Sequence, residues 1–135
     1  MTVYESIEVE KPAGEVFDFL MDEENMHLWI DDLIRWELIS GAAGKVGATA
    51  LLTYLERGRN VERTETIKEC VPGSRLVTHL TDSQMECIIT NEVSPLSEDT
   101  TRFSGHIRYR PKSWRAFLTL PFRRSALEDR LKHEL

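Results

Sequence analysis

The chain has 135 residues, of which 41% are hydrophobic and 30% are charged, and its net charge is −6. This length suits one domain that buries about two thirds of its unfolded surface, so the fold needs no disulfide framework or structural metal. No apolar run approaches the ~18 residues of a membrane helix, and we expect no integral membrane contact. Two cysteines and an N-terminus without a signal-peptide pattern predict a cytoplasmic protein.

The charge is distributed unevenly along the chain. Residues 1–107 carry a net charge of −11, whereas residues 108–135 carry +5. The acidic total argues against nucleic-acid binding, which needs a basic face. We favour a solvated helix face for the basic C-terminal segment, and contact with a partner or an anionic surface is the alternative.

The first thirty residues predict one strand followed by two helices. Val3–Glu10 alternates between apolar and polar residues, which is typical of a strand. Pro12 then suits the first turn of a helix, because a missing N–H costs nothing there. Apolar residues recur at helical spacing over residues 16–20. Asp22 is expected to cap a second, shorter helix over residues 25–29.

From residue 33 onward, alternating apolar residues predict six strands. Each run ends at glycine, proline, asparagine or aspartate, which are the residues that terminate strands and form turns. The six runs begin at Ile34, Ala50, Val61, Arg75, Met85 and Phe103. Successive strands joined by such turns predict an antiparallel meander.

The C-terminal residues predict one long helix. Ser113 is expected to cap it, apolar residues follow at spacings of three and four, and Pro121 should kink it. The complete order is therefore β-α-α-β6-α, an α+β fold in a single domain over residues 1–135. A curved sheet of this size must close over another element, and the last helix is the expected cover.

Several segments carry a family resemblance. Residues 7–20 match an opening strand, a proline turn and a helix, and residues 21–29 match a second helix ending in tryptophan. Residues 71–77 match a hairpin of the form Pro-x-x-Arg-Leu-Val, and residues 101–103 match a Thr-Arg-Val strand start. On these motifs the chain resembles the START-like, or Bet v 1-like (SRPBCC), superfamily, and within it the small bacterial polyketide cyclase/dehydrase or lipid-transport proteins.

The resemblance implies a helix-grip fold, in which a seven-stranded antiparallel curved sheet wraps around the C-terminal helix and encloses an apolar cavity. Strand alternation selects the side chains that face this cavity, and Gly105 would leave volume among larger neighbours. Ordinary core packing is the alternative for each of them. The predicted ligand contacts are Trp36, Leu52, Tyr54, Arg63, Glu65, Met85, Ile89, Phe103, Gly105, Ile107, Tyr109, Trp114, Phe117 and Leu118.

Two charged residues share the alternation of the apolar cavity residues. Arg63 and Glu65 have the same parity as Ile67, so both could point inward, where a charge is costly unless it is paired. With Tyr54 and Asn91 they could orient a ligand or form a general acid/base site. The alternative, slightly favoured, is that the pair faces solvent at the cavity mouth.

No motif indicates a metal, a cofactor or a nucleophile. The histidines lack ligand spacing, the two cysteines are not a C-x-x-C pair, and no G-x-S-x-G elbow is present. We expect no metal and no cofactor, and the catalytic residues stay unassigned. The four histidines and two cysteines are His27, His79, His106, His133, Cys70 and Cys87.

Three functions fit these expectations. The first is binding or sequestration of a small hydrophobic molecule such as a lipid, a polyketide-like aromatic or an isoprenoid. The second is an aromatase/cyclase- or dehydratase-type enzyme acting on a polyketide-like substrate. The third is a protein-interaction module that uses the basic C-terminal helix. A fold alone does not decide among them, and the absence of a clear acid/base set favours binding. A homodimer is also compatible with the sequence.

Overall fold

The computed structural model describes residues 2–112. Two helices interrupt the strands near the N-terminus, and every later element is a strand. The elements are β1 (Thr2–Val9), α1 (Ala13–Met21), a 3-10 turn (Glu23–Asn25), α2 (Met26–Trp29), β2 (Leu33–Ser40), β3 (Thr49–Glu56), β4 (Arg59–Val71), β5 (Arg75–Thr81), β6 (Met85–Pro95) and β7 (Thr101–Pro111). The predicted helix from Ser113, with Trp114, Phe117 and Leu118, lies outside the described residues.

The seven strands form one antiparallel, curved sheet in the order β1-β7-β6-β5-β4-β3-β2. This arrangement confirms the predicted sheet and the predicted six-strand meander after the helices. Sequence neighbours pair throughout β2 to β7, because each turn is short enough to return the chain beside the preceding strand. Among the described strands, β1 is the exception, because it pairs with β7, which is distant in sequence. The N-terminus and the last described strand therefore lie side by side.

Burial alternates along the strands as the sequence pattern predicts. Along β7, Phe103, Gly105, Ile107 and Tyr109 are buried, and their polar neighbours face outward. We call the buried side of the sheet the inner face. A β-bulge between Ile67 and Glu69 interrupts this alternation in β4, and bulges of this kind re-aim the side chains that follow.

The two N-terminal helices lie against the inner face. Val16, Phe17 and Leu20 are buried on one side of α1, where they form an apolar cluster with Val93 and Phe103 of the sheet. Asp22 ends α1, and its side chain accepts a hydrogen bond from the Glu24 backbone N–H, so it caps the 3-10 turn. The sequence predicted this cap for the second helix, but α2 begins after Asn25, which makes no side-chain cap hydrogen bond.

The turn before α1 is attached to the start of β7, the strand that pairs with β1. The hydroxyl of Thr101, which is fully buried, donates a 2.7 Å hydrogen bond to the carbonyl of Lys11. Because Lys11 directly precedes Pro12, this bond fixes the position at which α1 starts. Within residues 2–112, no helix is long and apolar enough to cross a bilayer.

Candidate functional site

A cavity of about 330 Å³ lies between the two helices and the inner face of the sheet. Its volume falls at the small end of the range for ligand sites in proteins. Leu20, Met26, Trp29 and Ile30 form the helical wall. The loop that joins β2 to β3 contributes Ala43 and Gly44, and exposed Asp22 and Glu23 join the wall from the end of α1.

The sheet forms the opposite wall of this cavity. Five of the predicted contacts line it: Trp36, Leu52, Tyr54, Glu65 and Ile89. Further side chains from β4, β5 and β6 complete the same wall, and those not yet named are Ile67, Leu76, Thr78, Leu80 and Asn91. The lining is therefore mostly apolar with a few polar groups, as in small-molecule sites.

Glu65 places a carboxyl group in this wall. This is the inward-facing orientation, one of the two that the strand alternation left open. Burial raises the pKa of this carboxyl, because the low-polarity surroundings disfavour its charged form. The nearby indole of Trp36 offsets part of this rise in the pKa of Glu65. Its N–H does not, however, form a hydrogen bond of regular geometry. Glu65 is thus a carboxyl group whose protonated form the cavity favours.

The hydroxyl of Tyr54 is a second polar group in the wall. Only 1% of Tyr54 is exposed, and its hydroxyl has no hydrogen-bond partner among residues 2–112. Burial raises the pKa of this phenol, and the nearby Glu65 adds to the rise. Tyr54 therefore stays protonated and can act as a hydrogen-bond donor.

Three further polar atoms in the wall lack a partner within the described chain. They are the indole nitrogens of Trp29 and Trp36 and the side-chain oxygen of Asn91. Buried polar atoms are nearly always hydrogen-bonded in native proteins, so a group of unpaired ones calls for a specific explanation. Here they all border one cavity.

Arg63 does not pair with Glu65, which corrects the expectation that the two residues act together. Its guanidinium makes a bidentate contact with Glu56 at 2.8 and 2.9 Å and a 3.1 Å hydrogen bond to Asp82. The same guanidinium lies 4.8 Å from the centre of the Tyr54 ring. With 6% exposure, Arg63 is a buried charge neutralised by two carboxylates.

Asp82 also organises the turn that joins β5 to β6. One of its carboxylate oxygens accepts hydrogen bonds from the backbone N–H groups of Gln84 and Met85, at 2.6 and 2.8 Å. The other oxygen accepts from Arg63. Arg63 therefore connects the end of β3, the strand β4 and this turn, which is a structural role.

The remaining predicted contacts lie away from the cavity. Arg63, Met85 and Tyr109 line a second, more open groove, whereas Phe103 packs in the α1 cluster. Gly105 and Ile107 are buried on the inner face of β7, and neither is among the described residues of the cavity wall. The contacts predicted at Trp114, Phe117 and Leu118 lie outside residues 2–112.

Within the described residues, no three histidine, cysteine, aspartate or glutamate side chains are grouped as a metal site. Cys87 is buried beside Met85, with 3.7 Å between the two sulfur atoms, and burial raises the pKa of its thiol to about 12. A thiol held in its protonated form is a poor nucleophile. Cys70 is a free, half-buried thiol packed against the α1 cluster.

The predicted contacts did not include the helical wall, and the predicted cover by the C-terminal helix lies outside the described residues. A signal was present: Met26, Trp29 and Ile30 recur at spacings of three and four, which indicates one apolar helix face. The predicted contacts also omitted Ala43 and Gly44, which are loop residues without a periodic pattern.

Comparisons with known proteins agree with this architecture. The family model described as "polyketide cyclase / dehydrase and lipid transport" matches residues 1–135. A START superfamily protein from Mycobacterium smegmatis has 16% identity and a TM-score of 0.76, with 96% of each chain covered. Comparison with curated proteins gave no match.

Two aromatase/cyclases are also similar in structure. The two-domain aromatase/cyclase BexL of the BE-7585A biosynthetic pathway has 21% identity and a TM-score of 0.72, with 98% of this chain and 45% of BexL covered. The Zhui aromatase/cyclase from Streptomyces sp. R1128 has 13% identity and a TM-score of 0.72, with 84% and 69% covered. Identities this low show the fold alone, which is the helix-grip fold of START and Bet v 1-like proteins. The match of the family model along the entire sequence shows more: the chain belongs to the polyketide cyclase/dehydrase and lipid-transport family.

Proposed function

We propose that this protein reversibly binds one small hydrophobic molecule in the cavity between its N-terminal helices and the sheet. The observation that carries the proposal is the cavity itself, about 330 Å³ in volume and lined mainly by apolar side chains from both walls. Burying an apolar ligand there removes its surface from water, which contributes about 25 cal/mol per Å². We assign Arg63 a structural role rather than a ligand contact, because Glu56 and Asp82 already neutralise its charge.

A direct test is titration with the uncharged fluorescent probe N-phenyl-1-naphthylamine, together with native mass spectrometry of the purified protein. We expect saturable binding with one probe per chain. Leu76→Trp places a larger side chain in the cavity wall and should weaken probe binding at least tenfold, which corresponds to about 1.4 kcal/mol. Val46→Trp is the matched control, since Val46 is 63% exposed and lies outside the wall. Equal probe affinity in both variants would contradict the proposal.

The second candidate is an enzyme of the aromatase/cyclase type, and the specific observation in its favour is Glu65 beside Tyr54 in the cavity. Once ionised, the Glu65 carboxylate would remove a proton from the carbon between two substrate carbonyls, while the Tyr54 hydroxyl donates a hydrogen bond to the enolate oxygen. The enolate carbon then attacks a second carbonyl, and the resulting alkoxide takes the proton back from Glu65. The attack closes the ring, and loss of water from this aldol product would introduce the double bond that leads to the aromatic product.

Turnover of a poly-β-ketone thioester, followed by the absorbance of the aromatic product, separates the two candidates. An enzyme should lose about 10²-fold or more in rate in Glu65→Gln, because one positioned acid/base group contributes about that factor. A binding protein should produce no aromatic product above the uncatalysed rate. The interaction-module function stays a prediction, since its helix lies outside the described residues.

We further propose that the protein is a cytoplasmic homodimer. The free thiols of Cys70 and Cys87 support a reducing compartment, and cell fractionation tests this location. β2 is an edge strand of the sheet and pairs only with β3 within residues 2–112. In an antiparallel pair of two β2 strands centred on Trp36, Arg35 of one copy would lie opposite Glu37 of the other.

This arrangement predicts a charge-reversal pattern in sedimentation velocity. Glu37→Arg would place arginine opposite arginine and should shift the dimer toward monomer. The double variant Arg35→Glu/Glu37→Arg restores the complementary charges and should restore the dimer. A parent protein that sediments as a monomer, or a single variant that dimerises as well as the parent, would contradict this interface.

A further inference from the structure

The charged groups of the cavity wall are all acidic. The described wall residues include Asp22, Glu23 and Glu65, and they include no lysine, arginine or histidine. A ligand that carries a carboxylate or phosphate would move from water into a cavity that offers no cation to pair with. Its negative charge would also lie next to three carboxyl groups. Burying an unpaired charge is strongly unfavourable. The wall therefore disfavours anionic ligands, even though its apolar lining suits any hydrophobic body.

The unpaired polar atoms of the wall are mostly hydrogen-bond donors. An indole N–H, as in Trp29 and Trp36, donates only, and the Tyr54 hydroxyl is held in its protonated, donating form. Tyr54 and Asn91 are both more than nine-tenths buried, so neither reaches bulk water. Three donors without acceptors, in a cavity of this size, are complementary to ligand oxygens that carry lone pairs.

Glu65 is a fourth polar group of the wall, and burial raises the pKa of its carboxyl. Its electrostatic influence reaches both Trp36 and Tyr54. The three donors without a hydrogen-bond partner within residues 2–112 define what we call the donor cluster: Trp29, Trp36 and Tyr54.

We propose that the cavity selects an uncharged ligand with at least one acceptor oxygen, such as a ketone carbonyl, held by the donor cluster, and that it rejects carboxylates of the same size. This inference rests on the proposed binding function and narrows its ligand class. Fatty acids and anionic phospholipids are excluded, whereas neutral oxygenated aromatics and neutral terpenoid ketones fit.

Three naphthalenes of similar size test this selectivity. They are 2-ethylnaphthalene, 2-acetylnaphthalene and 2-naphthoic acid, each measured at pH 7 by displacement of N-phenyl-1-naphthylamine. We expect the ketone to bind about fivefold to tenfold more tightly than the hydrocarbon, which is the effect of about one additional hydrogen bond. The carboxylate should bind at least tenfold more weakly than the ketone.

Each outcome bears on one of the two proposals. If the hydrocarbon displaces the probe and the carboxylate binds as tightly as the ketone, the binding function stands and the selectivity is overturned. If the ketone binds no more tightly than the hydrocarbon, the donor cluster plays no part in recognition. If neither the fluorescent probe nor any naphthalene binds, both the function and the selectivity fall.

Two conservative variants test whether the donor cluster produces this selectivity. Trp36→Phe and Tyr54→Phe each remove one donor and keep an aromatic ring, so each should reduce the ketone-to-hydrocarbon affinity ratio about threefold or more. The ratio compares two ligands in the same variant, so a change in cavity shape that affects both affinities equally leaves it unchanged. Tyr4→Phe is the control, because Tyr4 is an exposed tyrosine of β1. An unchanged ratio in both cluster variants overturns the assignment.

Discussion

Two groups of polar side chains lie near Tyr54, and they differ in how many of their polar atoms have hydrogen-bond partners. Around Arg63, two carboxylates and a turn backbone take up nearly every polar atom, and only Nη1 of Arg63 has no partner within residues 2–112. Near Glu65, the indole nitrogen of Trp36 and the hydroxyl of Tyr54 have no hydrogen-bond partner in that part of the chain. The first arrangement stabilises the fold, whereas the second supports the proposal that the cavity binds a ligand.

This difference shows that buried charge alone does not mark a functional site. Arg63 is the more conspicuous residue in the sequence, yet its charge is already neutralised by Glu56 and Asp82. The groups left without partners are mostly neutral donors with modest sequence signals. Changing one residue in each group should therefore affect stability and binding in opposite ways.

The largest effect is expected from Arg63→Met. The variant leaves two partly buried carboxylates facing each other without a cation, so the free energy of unfolding should fall by about 3–5 kcal/mol. Urea unfolding followed by circular dichroism measures this change. A loss below about 1 kcal/mol would show that the two groups do not differ in the way described here.

A smaller loss is expected from Asp82→Asn. The amide retains an oxygen for the Gln84 and Met85 N–H groups but loses the charged partner of Arg63 Nε. Hydrogen bonds to charged groups contribute about 1.5–3 kcal/mol, and the expected loss lies in this range. Urea unfolding of Asp82→Asn beside Arg63→Met tests whether the two changes act through one contact. If the double variant loses as much free energy of unfolding as the two single variants together, the two changes do not act through one contact.

Glu65→Gln should produce a pH-dependent gain in stability. The pKa of Glu65 is higher in the folded protein than its ordinary value of 4.5, so folding becomes less favourable as pH rises above that value and through the folded pKa. Glutamine does not titrate, so the stability of the variant relative to the parent should increase over that window and then level off. Thermal unfolding at a series of pH values measures the difference, with Glu62→Gln on the same strand as the exposed control. A pH-independent difference would contradict the prediction.

The smallest effect on stability is expected from Tyr54→Phe. Removing a hydroxyl that has no partner among the described residues forfeits no hydrogen bond, so the free energy of unfolding should change by less than about 0.5 kcal/mol or rise slightly. Urea unfolding of the ligand-free protein measures it. A loss of more than about 1 kcal/mol would mean that the hydroxyl has a structural partner and that the second group resembles the first.

The amino-acid sequence alone was sufficient to predict the order of the strands and helices from β1 to β7 and the side of β7 that is buried. These properties depend on local patterns, namely the period-two alternation of a half-buried strand and the residue types that end helices and strands. The family motifs at residues 7–20 and 71–77 extended the same local information to the complete fold.

Tertiary structure alone decided which polar groups have partners. The alternation of β4 places Arg63 and Glu65 on one face, but the partners of Arg63 come from the end of β3 and from the turn after β5, whose positions depend on strand register. The helical wall of the cavity likewise depends on where α1 and α2 pack, which the Thr101–Lys11 hydrogen bond helps to fix across ninety residues. A local pattern indicates the direction of a side chain, whereas its partner is set by contacts between residues distant in sequence.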